Sequence, residues 1–429
     1  MNAPGQAWQE RSLSLPAVGR STAYVPKQPT THVVLFIGSS GGWKASDVEK
    51  ARRIAPKAVV IGLSFDALKR AQGAVRCWLP SGVLEDIAKA AEGQLQLPEY
   101  RPPSLVGDGA GAALAYASLA LAPAGTFSGG VGLGFAPTLS TNRPLCSTRD
   151  WKPAFDAAKN TAQLPKVTST SFNWRDLGKP VAWTAPFDDA IDKVFATPEA
   201  TTPKAPPPTA SAVELERQLA ALSLSLDDTW ADHPKASLIF ISGDGGWRDI
   251  DQHVAAYMAP RGVNVIGLSS MSYFWKARTP EQGGADLRRM ADILESSKVP
   301  IFVGGYSFGA DVVPFFLDTW TAADRQKVSG EVLIAASPTA TFEINLLALD
   351  WVPFHSVTQT PHRVADAIRR IKVPTFCLTG TQVAPADTPC SAVADIATVV
   401  KLPGDHHFNG DYDAIGKAAL AFIEKQLSR

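Results

Sequence analysis

Short, strongly apolar runs punctuate the chain, and each leads into a Gly- or Ser-rich cluster: Val33–Ile37, Val59–Leu63, Leu238–Ile241, Val263–Leu268, Ile301–Val303 and Val332–Ala335. Runs of this length without polar alternation predict strands buried on both faces, as in a parallel sheet. Between them lie longer stretches with apolar residues at helical spacing, among them LRRMADILESS after Asp286 and AIGKAALAFIEKQL near the C terminus. Strand and helix in alternation predict an α/β fold, a mostly parallel sheet flanked by helices. The longest apolar tract, Ala110 to Ala124, is mostly Ala. It falls short of the roughly 20 strongly apolar residues that span a bilayer and predicts a buried helix.

The pattern occurs twice. VVLFIGSSGGWKASD, from Val33, returns as SLIFISGDGGWRDID, from Ser237, with Trp43 matching Trp247. VVIGLSFDAL from Val59 is echoed by NVIGLSSMSY from Asn264, and PSLVGDGAGAAL from Pro103 by PIFVGGYSFGADV from Pro300. Three matches in one order predict two tandem α/β domains. The Pro-rich stretch TPEATTPKAPPPTAS favours an extended spacer. The expected division is residues 1–196, a linker over 197–211, and residues 212–429.

Composition narrows the chemistry. In 429 residues, 41 Lys and Arg balance 41 Asp and Glu, and 45% of residues are apolar. Such a neutral globular chain is not built to bind nucleic acid. The first twenty-five residues show no charged start followed by an apolar segment, so no secretory signal is visible. Four cysteines fall two to a half, which predicts the pairs Cys77–Cys146 and Cys377–Cys390 and an oxidising compartment. No Cys and His spacing suited to zinc is present, and no metal or cofactor is implied.

The most informative residues are Gly305-Tyr306-Ser307-Phe308-Gly309, a G-x-S-x-G between a predicted strand and a predicted helix. That context describes a nucleophile elbow, which lifts a serine hydroxyl above the sheet edge, and makes each domain α/β-hydrolase-like. A serine needs a base, and the base needs a third group to orient it. In LPGDHHFNGDY the pair His406-His407 lies late in the chain, and His406 is the chosen base with His407 as the alternative. Asp387, in GTQVAPADTPC, completes the order Ser307, Asp387, His406. Oxyanion donors are expected from the amide of Phe308 and from ISGDGGW, where Asp244 is preferred and Gly245 is the alternative. In the first half, Gly109 stands at the nucleophile position, Ala113 at that of Asp311 and Ser40 at that of Asp244. Its one histidine, His32, opens the first predicted strand, so that half is expected to be non-catalytic.

The second half resembles the bacterial AcvB/VirJ virulence-associated proteins. The matching segments are SGDGGW, YFWKARTPEQ, GGYSFGADVVPF, SPTATFEINL and LPGDHHFNGDY, and the degenerate first half resembles the two-lobed AcvB form. The resemblance implies a periplasmic serine α/β-hydrolase that removes the aminoacyl group, lysyl or alanyl, from aminoacylated phosphatidylglycerol at the membrane surface. It also implies a looser link to type IV secretion proteins, and a binding or scaffold protein on a hydrolase fold is the alternative. The loop after Gly380 departs from the family by carrying few acidic residues. An aminoacyl ester bears a free ammonium, which a carboxylate or aromatic face would hold. Asp244, Glu343 and the run Tyr273-Phe274-Trp275 are candidates. Core packing is an equal alternative for the aromatics, and an internal salt bridge is the plainer reading for Glu343 and Asp311.

Overall fold

The computed structural model describes residues 7–72, 77–123, 125–146, 153–165, 173–178, 184–196, 207–344 and 362–429. They separate into two compact units, one ending at residue 196 and the other beginning at residue 207. Residues 197–206 of the spacer lie outside the described residues. The spacer's end differs from expectation: Ala210 and Ser211 already belong to the helix Ala210–Ala220, because Thr209 caps it by accepting the Ala212 amide.

Each unit is built on a seven-stranded sheet. In the second, the order is Leu226–Thr229, Val263–Leu268, Ala236–Ile241, Ile301–Tyr306, Val328–Ile334, Thr375–Gly380 and Thr398–Leu402, parallel except for the first strand. In the first, Val59–Leu63, Val33–Ile37, Ser104–Asp108, Gly129–Leu133 and Trp174–Asp176 run parallel in that order. A hairpin, Trp8–Leu15 with Gly19–Pro26, adds antiparallel strands at its edge. Those two strands were not anticipated, because only part of each is buried and the apolar run that marks a central strand is missing. In both units the strand that precedes the G-x-x-x-G turn is flanked by parallel strands on both sides. This is the α/β-hydrolase arrangement, present twice.

The repeated residues that are not chemical hold this frame. Trp247 covers Gly267 so closely that a Cβ there would fall 2.5 Å from the indole, and Trp43 covers Gly62 at the same distance. Each indole meets a strand phenylalanine, Phe240 or Phe36, in a T-shaped contact. The Ala-rich tract forms the helix Ala110–Leu121, which is almost wholly buried. Among the described residues no helix is long and apolar enough to cross a membrane. Both expected disulfides form, Cys77 with Cys146 and Cys377 with Cys390.

Candidate active site

Ser307 is the hinge between the strand Ile301–Tyr306 and the buried helix Phe308–Asp318. Its backbone is held at φ 51°, ψ −118°, a strained conformation for a residue with a side chain. The flanking glycines allow it. A Cβ on Gly305 would lie 2.4 Å from the Gly309 carbonyl carbon, and one on Gly309 would lie 2.0 Å from the Ile241 carbonyl oxygen. No other residue fits either place.

The His loop meets the elbow at the carboxyl end of the sheet. His406 Nε2 lies 2.9 Å from Ser307 Oγ, whereas His407 turns its Nδ1 to the Tyr306 hydroxyl at 3.1 Å. The structure therefore brings His406 to the serine, and not His407. Burial, reinforced by the neighbouring His407, pushes the His406 imidazole below its ordinary pKa against the opposing charges of Asp244 and Asp405. A neutral imidazole can accept the serine proton, and a pair at this distance can act as nucleophile and general base.

Asp387 is not brought to this pair. It lies exposed in the short turn Pro385–Asp387, and among the described residues no carboxylate is hydrogen-bonded to His406. Three residues after Asp387, Cys390 is bonded to Cys377 in the strand Thr375–Gly380, so the turn that carries Asp387 is fastened to that strand.

Opposite the elbow, Gly246 donates to the Gly243 carbonyl and closes a tight turn around Asp244 and Gly245. The amides of Asp244 and Gly245 occupy the two central positions of that turn. The helix Phe308–Asp318 leaves its first amide, that of Phe308, without an intrahelical acceptor. The Gly243 turn is braced from below. Buried Asp251 accepts the backbone amides of Gly243 and Arg248, and Ser270 donates its amide to Ser242 Oγ at 2.9 Å and its hydroxyl to the Gly243 carbonyl. Sequence reasoning did not single out these supports, although the recurrence of Asp251 as Asp47 signals the first.

The substrate-binding candidates divide. Tyr273 and Phe274 are core residues, not an ammonium-holding wall. The Tyr273 hydroxyl donates to Asp286 at 2.6 Å with Arg278 against its ring, and fully buried Phe274 packs on Phe308 and Phe316. Trp275 is buried with them. Glu343 is exposed, and neither it nor Asp311 has a salt-bridge partner among the described residues. The expected ion pairs are therefore absent there. Asp311, one turn along the helix from Ser307, accepts the Ser337 amide at 2.6 Å, and burial pushes its carboxyl up to about 8. Asn345 and Leu346 of the SPTATFEINL segment lie outside the described residues.

The first unit keeps the elbow without the nucleophile. Gly109 holds φ 53°, ψ −112°, nearly the Ser307 backbone, but a Cβ there would lie 2.7 Å from Ser39 Oγ. Asp108, in the place of Tyr306, pairs with Lys50 at 3.1 Å.

Among solved structures, TT1662 from Thermus thermophilus is 18% identical, covering 48% of this chain and 95% of its own, with a TM-score of 0.35. Est1E from Butyrivibrio proteoclasticus is 14% identical over 48% of this chain and 93% of its own, with a TM-score of 0.34. MenH from S. aureus is 17% identical over 47% and 98%, with a TM-score of 0.35. No curated protein matches the chain. Residues 236–427, most of the second unit, match the family model described as bacterial virulence protein (VirJ).

Proposed function

We propose that the second unit is a serine hydrolase that cleaves the aminoacyl ester of aminoacylated phosphatidylglycerol at the periplasmic face of a membrane. The observation that carries the reading is the strained Ser307 with its hydroxyl 2.9 Å from His406 Nε2. In this reading Ser307 attacks the ester carbonyl while His406 takes its proton, and the amides of Phe308 and Asp244 stabilise the oxyanion. His406 then protonates the departing glycerol hydroxyl, and water releases the amino acid by the reverse sequence. Two disulfides agree with an oxidising compartment. Asp244, exposed beside the serine, supplies a carboxylate for the substrate's ammonium.

The test is incubation of the full chain with vesicles containing lysyl- or alanyl-phosphatidylglycerol, followed by lipid analysis, with a small soluble ester in parallel. Release of the amino acid and regeneration of phosphatidylglycerol are expected, with Ser307→Ala lowering turnover by at least about 1,000-fold. Wild-type turnover in Ser307→Ala on both substrates would overturn the hydrolase reading. Cleavage of the soluble ester with intact lipid would overturn only the substrate.

A further inference from the structure

We propose that Tyr306 is the positioning residue of the base: its hydroxyl ties the His406-His407 loop to the nucleophile elbow, a task that serine hydrolases ordinarily give to a carboxylate. The inference rests on the hydrolase reading above.

A general base works only if its ring is held at the correct distance and orientation from the hydroxyl it serves. Among the described residues no carboxylate hydrogen-bonds His406, and Asp244 and Asp405 act on it through charge alone. Tyr306 does contact the loop. Its hydroxyl lies 3.3 Å from the His406 carbonyl oxygen and 3.1 Å from His407 Nδ1. With a proton on that nitrogen, His407 donates to the phenol oxygen and the phenol donates to the carbonyl, so both contacts are satisfied together. The Tyr306 ring also stands against the His406 ring, with centroids 5.5 Å apart.

The anchor itself is rigid. Tyr306 ends the strand Ile301–Tyr306, pairs with Ile334 on the neighbouring strand and is 7% exposed. Its ring fills the space beside Gly243, where a Cβ would meet it at 3.1 Å. One side chain thus touches the oxyanion turn and the base loop while adjoining the nucleophile in sequence, so all three are referenced to one strand. Burial raises the phenol well above its ordinary pKa, which keeps it a donor. The first unit supplies an internal comparison. Where nucleophile and base are gone, the anchor position holds Asp108, which serves Lys50 instead.

The experiment uses the full chain with Tyr306→Phe, which keeps the ring and removes only the hydroxyl. Two readouts are followed: kcat and KM on p-nitrophenyl butyrate, and the rate at which a fluorophosphonate labels Ser307. Tyr306→Phe is expected to lower kcat and the labelling rate together by roughly 10- to 100-fold with KM within about twofold, as a displaced base would. His407→Ala, a second variant should the first fail to fold, removes one of the two contacts and is expected to lower labelling less. His407→Gln, which restores a polar partner, is expected to recover part of the loss. Wild-type labelling rates in both Tyr306→Phe and His407→Ala would overturn the proposal. A wild-type chain that the probe does not label would instead remove the hydrolase reading, and this inference with it.

Discussion

Ser307 and His406 are separated by 99 residues, yet both could be picked out of the sequence, because each is announced by its own backbone setting. The serine needs glycines on either side of a strand-to-helix turn, and the histidine follows the last parallel strand. The third group has no such signature. Asp387 fits the chain order, but chain order does not bring a carboxylate to the imidazole, and here Asp387 is exposed and makes no hydrogen bond to His406. Asp387→Asn is therefore expected to keep ester hydrolysis within about threefold of wild type, whereas loss of a true triad carboxylate costs about 10,000-fold. Steady-state kinetics on a soluble ester decides between them, and a loss above about 100-fold would return Asp387 to the site. Tyr306 was hidden for the opposite reason. It stands at the unspecified position of the motif, and its use depends on a loop 100 residues away.

Among the elements, the buried parallel strands were legible, because a strand covered on both faces must be apolar throughout. The amino-terminal hairpin was not, since an edge needs only partial burial. The disulfides belong to this scale, as each fastens a loop to an ordered segment. Cys390 ties the turn after Thr375–Gly380 back to its own strand, across a sequence separation of 13. Cys146 joins the segment at Trp78, where Trp78 donates its amide to the Pro144 carbonyl and Cys146 donates to the Trp78 carbonyl, across a separation of 69. The entropy of loop closure assigns about 3 kcal/mol to the shorter loop and about 4 kcal/mol to the longer. Reduction is therefore expected to destabilise the first unit more than the second. Urea unfolding with and without reductant, followed by hydrogen exchange in each unit, measures the two losses. Equal losses, or none, would count against the chain-entropy account.

At the scale of the whole molecule, burial of carboxyl groups makes stability depend on pH in a direction opposite to that of a salt-bridged protein. Glu331, in the strand Val328–Ile334, is fully buried and accepts the Thr375 hydroxyl at 2.7 Å, and burial raises its carboxyl from 4.5 to about 8. Asp311, Asp251, Glu92 and Asp47 are raised by the same cause. A raised acid keeps its proton in the folded chain at pH values where the unfolded chain has lost it, so folding takes up protons. For Glu331 the contribution to stability is greatest below about pH 4.5, falls as the pH rises to about 8, and is constant above that. A shift of this size corresponds to at most about 5 kcal/mol. The variant Glu331→Gln keeps an acceptor for Thr375 and cannot ionise. It is expected to equal or fall below wild type at pH 5, to exceed it by a few kcal/mol at pH 9, and to flatten the pH dependence of the second unit. Urea unfolding read by hydrogen exchange of the Val328–Ile334 amides, with intrinsic exchange rates corrected for pH, follows that unit alone. Parallel curves for wild type and variant from pH 5 to 9 would mean that Glu331 is ionised in the folded chain, and that Thr375 or water carries more of its charge than the packing around it shows.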